Sequence, residues 1–156
     1  MNRFIHVFDY IVIGWCRKAA LPVARISIAV VYIWFGVLKM GSASAAVPLV
    51  QALHDQTIPF FSVRDTLYAV SVYEIMVGIV MLIPRFERLA ILLLIVHMGI
   101  VILPLFLLPA YTWQALFVPT LEGQYIIKNL AIIALAMSIA AHLHPLGKDE
   151  REDVIV

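Results

Sequence analysis

The sequence predicts an all-α polytopic membrane protein, a four-transmembrane-helix bundle with an N-terminal interfacial helix, on three observations. Of 156 residues, 63% are hydrophobic and 13% charged, with a mean hydropathy of +1.00, a balance foreign to soluble domains. Apolar runs of bilayer-crossing length recur at 21–40, 65–83, 89–108 and 121–142. Lysine and arginine also fall unevenly on the segments joining those runs. A length of 156 residues suits a single membrane domain over 1–156. A net charge of +1 gives no reason to expect a nucleic-acid partner. The single cysteine, Cys16, excludes an intrachain disulfide or a C-x-x-C redox pair. It is left either to pair with another chain or to act as a small hydrophobe at the membrane interface.

The elements follow in order. Residues 1–18 place Phe4, Phe8, Ile11 and Trp15 at helical spacing beside Arg3, Arg17 and Lys18, the pattern of an interfacial helix. Charges interrupt this stretch and no cleavage site follows an apolar core, so it does not read as a signal peptide. The first span covers 21–40, with Pro22 suited to a first helical turn and Gly41-Ser42-Ala43-Ser44 ending it. Ala45 to His54 is a candidate short helix, and Ile58-Pro59-Phe60-Phe61 an apolar lid or re-entrant segment. The second span runs over 65–83 to Pro84, and the tight connection Arg85-Phe86-Glu87-Arg88 makes spans two and three antiparallel neighbours. In the third span, 89–108, Pro104 predicts a kink and Pro109 a stop. Tyr111, Trp113 and Phe117 then form an aromatic belt before the fourth span, 121–142. Residues 143–156, with the charge run Lys148 to Asp153, form a cytoplasmic tail.

Eight of the eleven lysines and arginines lie on the side that holds both termini and the 85–88 loop: Arg3, Arg17, Lys18, Arg25, Arg85, Arg88, Lys148 and Arg151. The positive-inside rule then places both termini in the cytoplasm. Lys39, Arg64 and Lys128 belong to the other side.

Each span carries one ionisable residue away from its cytoplasmic end: Lys39, Glu74, His97 and Lys128. At 1.5 Å per residue, Glu74 stands roughly 15 Å from Arg64 and as far from Arg85, and His97 about 14 Å from Arg88, which puts both near mid-membrane. Lys39 lies about 21 Å beyond Arg25, and Lys128 roughly 10 Å along a helix that starts at Leu121. A lysine in a bilayer costs about 2.5–3.5 kcal/mol on insertion scales and normally faces the bundle interior with a partner. The helical faces agree: Arg25, Ala29, Tyr32, Gly36 and Lys39 share one side of span one, and Ser71, Glu74 and Gly78 share one side of span two. Leu121, Tyr125, Lys128 and Ile132 do so in span four, with Glu122 capping its N-terminus. Glu74 with Lys39 or Lys128 is the natural ion pair. Such a pair can simply fix which helix packs on which. His97 has no second histidine at its depth, so it suits a hydrogen-bonded interior role as well as a ligand role. His142 and His144 fall at the cytoplasmic boundary, while His6 and His54 read as superficial.

Read functionally, two lysines, a carboxylate, a histidine and tyrosines in an apolar setting suit a small molecule with carbonyl or hydroxyl oxygens, such as a quinone. Glu74 and His97 are the candidate catalytic, proton-relaying groups. Tyr32, Lys39, Tyr125 and Lys128 are the candidate quinone-binding groups. No metal or haem is expected, and electrons would need a redox partner protein.

The chain resembles the DoxX/DoxD superfamily of four-helix bacterial membrane proteins, in particular the branch near the reactive-chlorine-resistance inner-membrane protein. The likeness covers about residues 21–142. It rests on Arg25 with Trp34-Phe35-Gly36-Val37-Leu38-Lys39, on Glu74-x-x-x-Gly78 with Arg88, and on Phe117-x-Pro119-x-Leu121-x-Gly123-Gln124-Tyr125-x-x-Lys128-Asn129-Leu130. The resemblance implies a quinone-linked oxidoreductase subunit of the bacterial inner membrane, with a role in oxidative-stress defence and Lys39, Glu74 and Lys128 as its polar site. Distant relatives include cargo receptors and assembly chaperones, so fold likeness leaves the chemistry open. A non-enzymatic assembly or scaffold protein and a small-anion carrier are the alternatives. Expected partners are membrane lipid, a quinone or similar small molecule and a redox partner protein, with a homo-oligomer left open.

Overall fold

A computed structural model describes residues 2–41 and 44–144 of the chain, and side chains from His6 onward. Ser42, Ala43 and the 148–153 charge run fall outside those residues, and the side chains of Arg3 and Phe4 outside the described side chains.

The first helix, α1, runs unbroken over Asn2–Met40 with Pro22 inside it. The expected division between an interfacial helix over 1–18 and a span from 21 is therefore not there. Pro22 withholds one N–H from the helical ladder, yet helix continues on both sides of it. After α1 come α2 (Val47–Thr57), α3 (Val63–Leu82), α4 (Glu87–Ile102), and the one-turn helices α5 (Pro104–Leu107) and α6 (Pro109–Thr112). A two-stranded antiparallel hairpin follows, β1 (Trp113–Ala115) with β2 (Val118–Pro119), and then α7 (Leu121–Lys128) and α8 (Leu130–Ala140). Among the described residues, four helical stretches are long and apolar enough to cross a membrane: His6–Met40, Val63–Leu82, Glu87–Leu107 and Leu121–Ala140.

Three local departures have physical causes. Pro104 lacks an N–H, so α4 ends at Ile102 and helix restarts as α5. The third helical stretch stops before Pro109, as expected, and Pro109 then starts the separate turn α6; Trp113–Ala115 after it pairs with Val118–Pro119 as a hairpin, an element that an all-α reading omits. The fourth span is divided at Asn129, where the Asn129 N–H returns to the Ile126 and Ile127 carbonyls. Its N-cap is Thr120, whose hydroxyl accepts from the Gly123 N–H at 3.1 Å, so Glu122 only adds charge to the first turn.

The long helices close a ring in which α1 and α4 each pack against both α3 and α8. The closest seam joins α1 and α3. A Cβ on Gly36 would stand 2.9 Å from the Ser71 carbonyl oxygen, and one on Gly78 would stand 3.0 Å from that of Ala29. Glycine at both places lets the backbones touch, as small residues do between membrane helices. The apolar core fills the end of the ring nearest the α3–α4 turn, with Ile28, Val77, Met81, Ala90, Leu94, Ala136 and Ile139. Polar side chains occupy the interior beyond it.

Candidate polar site inside the bundle

The buried stripe of α1 steps through Ala24, Ile28, Tyr32, Gly36 and Lys39 at intervals of three and four, so Tyr32 and Lys39 enter the ring on one face. On α3 the same rule brings in Ser71, Glu74 and Gly78, and on α4 it brings in Ala90, Leu94 and His97. These three faces meet. The Lys39 ammonium donates to both oxygens of Glu74, at 2.7 Å and 2.6 Å. His97 Nε2 lies 3.2 Å from Glu74 Oε1, and its Nδ1 lies 3.1 Å from the Tyr32 hydroxyl.

The hydrogens follow from the acceptors. An ionised carboxylate only accepts, so Nε2 of His97 carries its hydrogen toward Glu74. In a neutral ring Nδ1 then accepts from the Tyr32 hydroxyl. The result is one chain, Tyr32 to His97 to Glu74, closed by Lys39 with the lysine and carboxylate charges cancelling. That neutrality is what makes two charges tolerable away from water.

The His97 ring sits between two tyrosines. Tyr32 meets it edge-on at 5.3 Å, and Tyr73 stacks on it at 5.8 Å while donating its hydroxyl to the Leu93 carbonyl. The four linked side chains are nearly closed from outside: Lys39 is 8% exposed, Glu74 and His97 6%, and Tyr32 3%. Among the described residues, no buried side-chain nitrogen or oxygen lacks a hydrogen-bond partner.

Lys128 and Tyr125 do not join this chain. The inward face of α7 carries Gly123 and Ile126, and the face bearing Leu121, Tyr125 and Lys128 is exposed. Gly123 sets that rotation, because a Cβ there would lie 2.1 Å from the Thr112 carbonyl oxygen. The Lys128 ammonium rests over the Tyr125 ring at 5.2 Å, one helical turn away. With a long apolar stem and only about 10 Å to the helix start, Lys128 can reach the polar boundary instead of a buried acid. The expected convergence of four spans is thus a convergence of three.

Two other polar groupings went unforeseen. Arg25 donates to Glu87 at 2.7 Å and to the Met81 carbonyl at 3.0 Å, tying α1 to the end of α3 and the start of α4. His54, read as superficial, is 3% exposed, with Nδ1 at 3.0 Å from Asp55 Oδ1 and Nε2 at 3.0 Å from the Phe61 carbonyl. It anchors the segment that presents Phe60 and Phe61 outward. Tyr73 could have been suspected only from its place beside Glu74, since nothing in spacing alone turns it toward α4.

Recesses border the helices among the described residues. An apolar groove of about 430 Å³ runs along α1, lined by Ile26, Val30, Trp34, Val37, Leu38 and Leu82 among others. A polar recess of about 300 Å³ lies between the α3–α4 turn and the end of α8. Neither is lined by Tyr32, Lys39, Glu74 or His97. Comparison with family models, with curated proteins and with solved structures gave no match.

Proposed function

We propose that this protein is the proton-handling subunit of a quinone-linked redox system in a bacterial inner membrane, with both termini cytoplasmic, as the DoxX-like sequence features suggest. The observation that carries the proposal is the hydrogen-bonded chain Tyr32–His97–Glu74–Lys39, drawn from three helices. A proton reaching Nδ1 of His97 can be matched by one leaving Nε2 for Glu74, which turns the ring into a relay. The receiving carboxylate lies on the Lys39 ammonium. A quinone would supply the two-electron, two-proton acceptor; a redox partner protein would supply the electrons, and a proton held on Glu74 would return through Nε2 and leave from Nδ1 toward the Tyr32 end.

The donor set suits carbonyl oxygens, since Lys39 keeps a third N–H and the Tyr32 hydroxyl can turn from His97 Nδ1 to a ligand. Space is the constraint. For a quinone ring to meet these donors, Tyr32 or Lys39 has to leave its present contact. The test is extraction and mass spectrometry of quinone from protein purified in mild detergent, with titration of added quinone into wild type, Glu74→Gln and Tyr32→Phe. Binding weakened more than tenfold in both variants, with helical content kept, supports the reading. Binding unchanged in both defeats it.

Closure of the site favours a second reading, in which the same chain fixes helix pairing in a non-enzymatic assembly protein. Under that reading the variants lose thermal stability and no quinone is retained. The small-anion carrier drew on two interior lysines, Lys39 and Lys128, and of these Lys39 is buried and Lys128 exposed.

A further inference from the structure

The recess between the α3–α4 turn and the end of α8 plays no part in the redox reading. It is lined by Arg85, Glu87, Arg88, His142, Leu143 and His144. Glu87, the one acid in that lining, already has its carboxylate on Arg25 at 2.7 Å, so the lining is left with an excess of positive groups. Arg88 is held in place by a hydrogen bond from Nη2 to the His144 carbonyl, and among the described residues its other guanidinium N–H groups are left for a ligand. Arg85 sits at φ 73°, a left-handed conformation in which glycine would be at ease and arginine is strained. Strain kept at a residue with a guanidinium suggests that the guanidinium is used. The N-terminus of α4 opens at the same place without a side-chain cap, so first-turn N–H groups add to the positive field.

We propose that this recess binds a phosphate group, and that in a bilayer the group belongs to an anionic phospholipid. The inference rests on the four apolar helices spanning a membrane and is independent of the quinone reading. At the end of such a bundle, the α3–α4 turn stands at headgroup depth, where basic pockets between helices take anionic headgroups. Two guanidinium forks match phosphate oxygens in pairs, which a lysine pair would not do as well. A volume of about 300 Å³ admits a headgroup.

The test is thermal unfolding of the full chain in an uncharged detergent, with phosphatidylglycerol, phosphatidylcholine or inorganic phosphate added in turn. Phosphatidylglycerol is expected to raise the midpoint, while phosphatidylcholine at equal concentration leaves it in place. Arg85→Gly with Arg88→Gln should weaken the phosphatidylglycerol response by about tenfold per arginine removed. Arg85→Gly relieves the left-handed strain, so the single variant's lipid-free midpoint should stay level or rise, which separates loss of binding from loss of fold. An equal response to inorganic phosphate would overturn the lipid assignment in favour of a free anion. An undiminished response in the double variant, or a matching response to phosphatidylcholine, would overturn the site.

Discussion

Replacing Lys39 with methionine leaves the Glu74 carboxylate inside the bundle without its cation. The two are joined by contacts of 2.7 Å and 2.6 Å, and each side chain is 8% exposed, so water cannot take the lysine's place. Breaking a buried pair from one side costs about 3–5 kcal/mol, against roughly 0–1 kcal/mol for an exposed pair. His97 remains 3.2 Å from the carboxylate and still donates a hydrogen bond to it, which points to about 3 kcal/mol, the lower end of that range. Glu74→Leu should cost a similar amount by stranding the lysine. Lys39→Met with Glu74→Leu removes both charges and should be less destabilised than either single variant, with a coupling of about 2–3 kcal/mol. Reversible unfolding in mixed detergent micelles, followed by far-ultraviolet circular dichroism, gives all four corners of the cycle. A coupling below about 1 kcal/mol is what a solvated pair would show, and it would refute the buried pair together with the relay built on it.

Gly123→Ala forces a methyl against the Thr112 carbonyl and should lower stability by about 1–3 kcal/mol in the same assay, as overpacking does. Lys128→Ala removes only an exposed contact with Tyr125 and should change stability by less than about 1 kcal/mol and leave quinone retention unaltered. A large loss in either would return Lys128 to the site. His54→Ala strands the Phe61 carbonyl and should cost about 1–3 kcal/mol, with faster proteolysis confined to 58–62. Protease resistance equal to wild type would mean that the segment is held by something else.

The spans were legible because hydropathy and the steps of three and four residues are properties of single helices. Tyr32, Gly36 and Lys39 on one face of α1, and Ser71, Glu74 and Gly78 on one face of α3, could be read without knowing the partner helix. Lys128 could not be placed that way. Its orientation is set by Gly123 pressed on the Thr112 backbone, a tertiary contact that turns α7 and hides Ile126 instead. Pro22 misleads in a similar manner, since a residue that often begins a helix here lies within one. The Arg25–Glu87 clasp depends on one helix end brought against another helix, and the His54 anchor on a loop brought against a helix, for neither of which the sequence carries a period.

The unbroken course of α1 has a geometrical consequence. Its 39 residues, at 1.5 Å each, make a rod of about 58 Å, while a hydrocarbon layer is about 30 Å thick. Fitting the whole rod inside would demand an inclination of about 59°, well past the 0–40° that spanning helices adopt. In a bilayer one end would therefore emerge into the headgroups or beyond, and the interior contacts of Arg25, Tyr32 and Lys39 would make it the N-terminal one. Phe8, Tyr10 and Trp15 travel out with it as a stalk of exposed aromatics on the near side of Pro22.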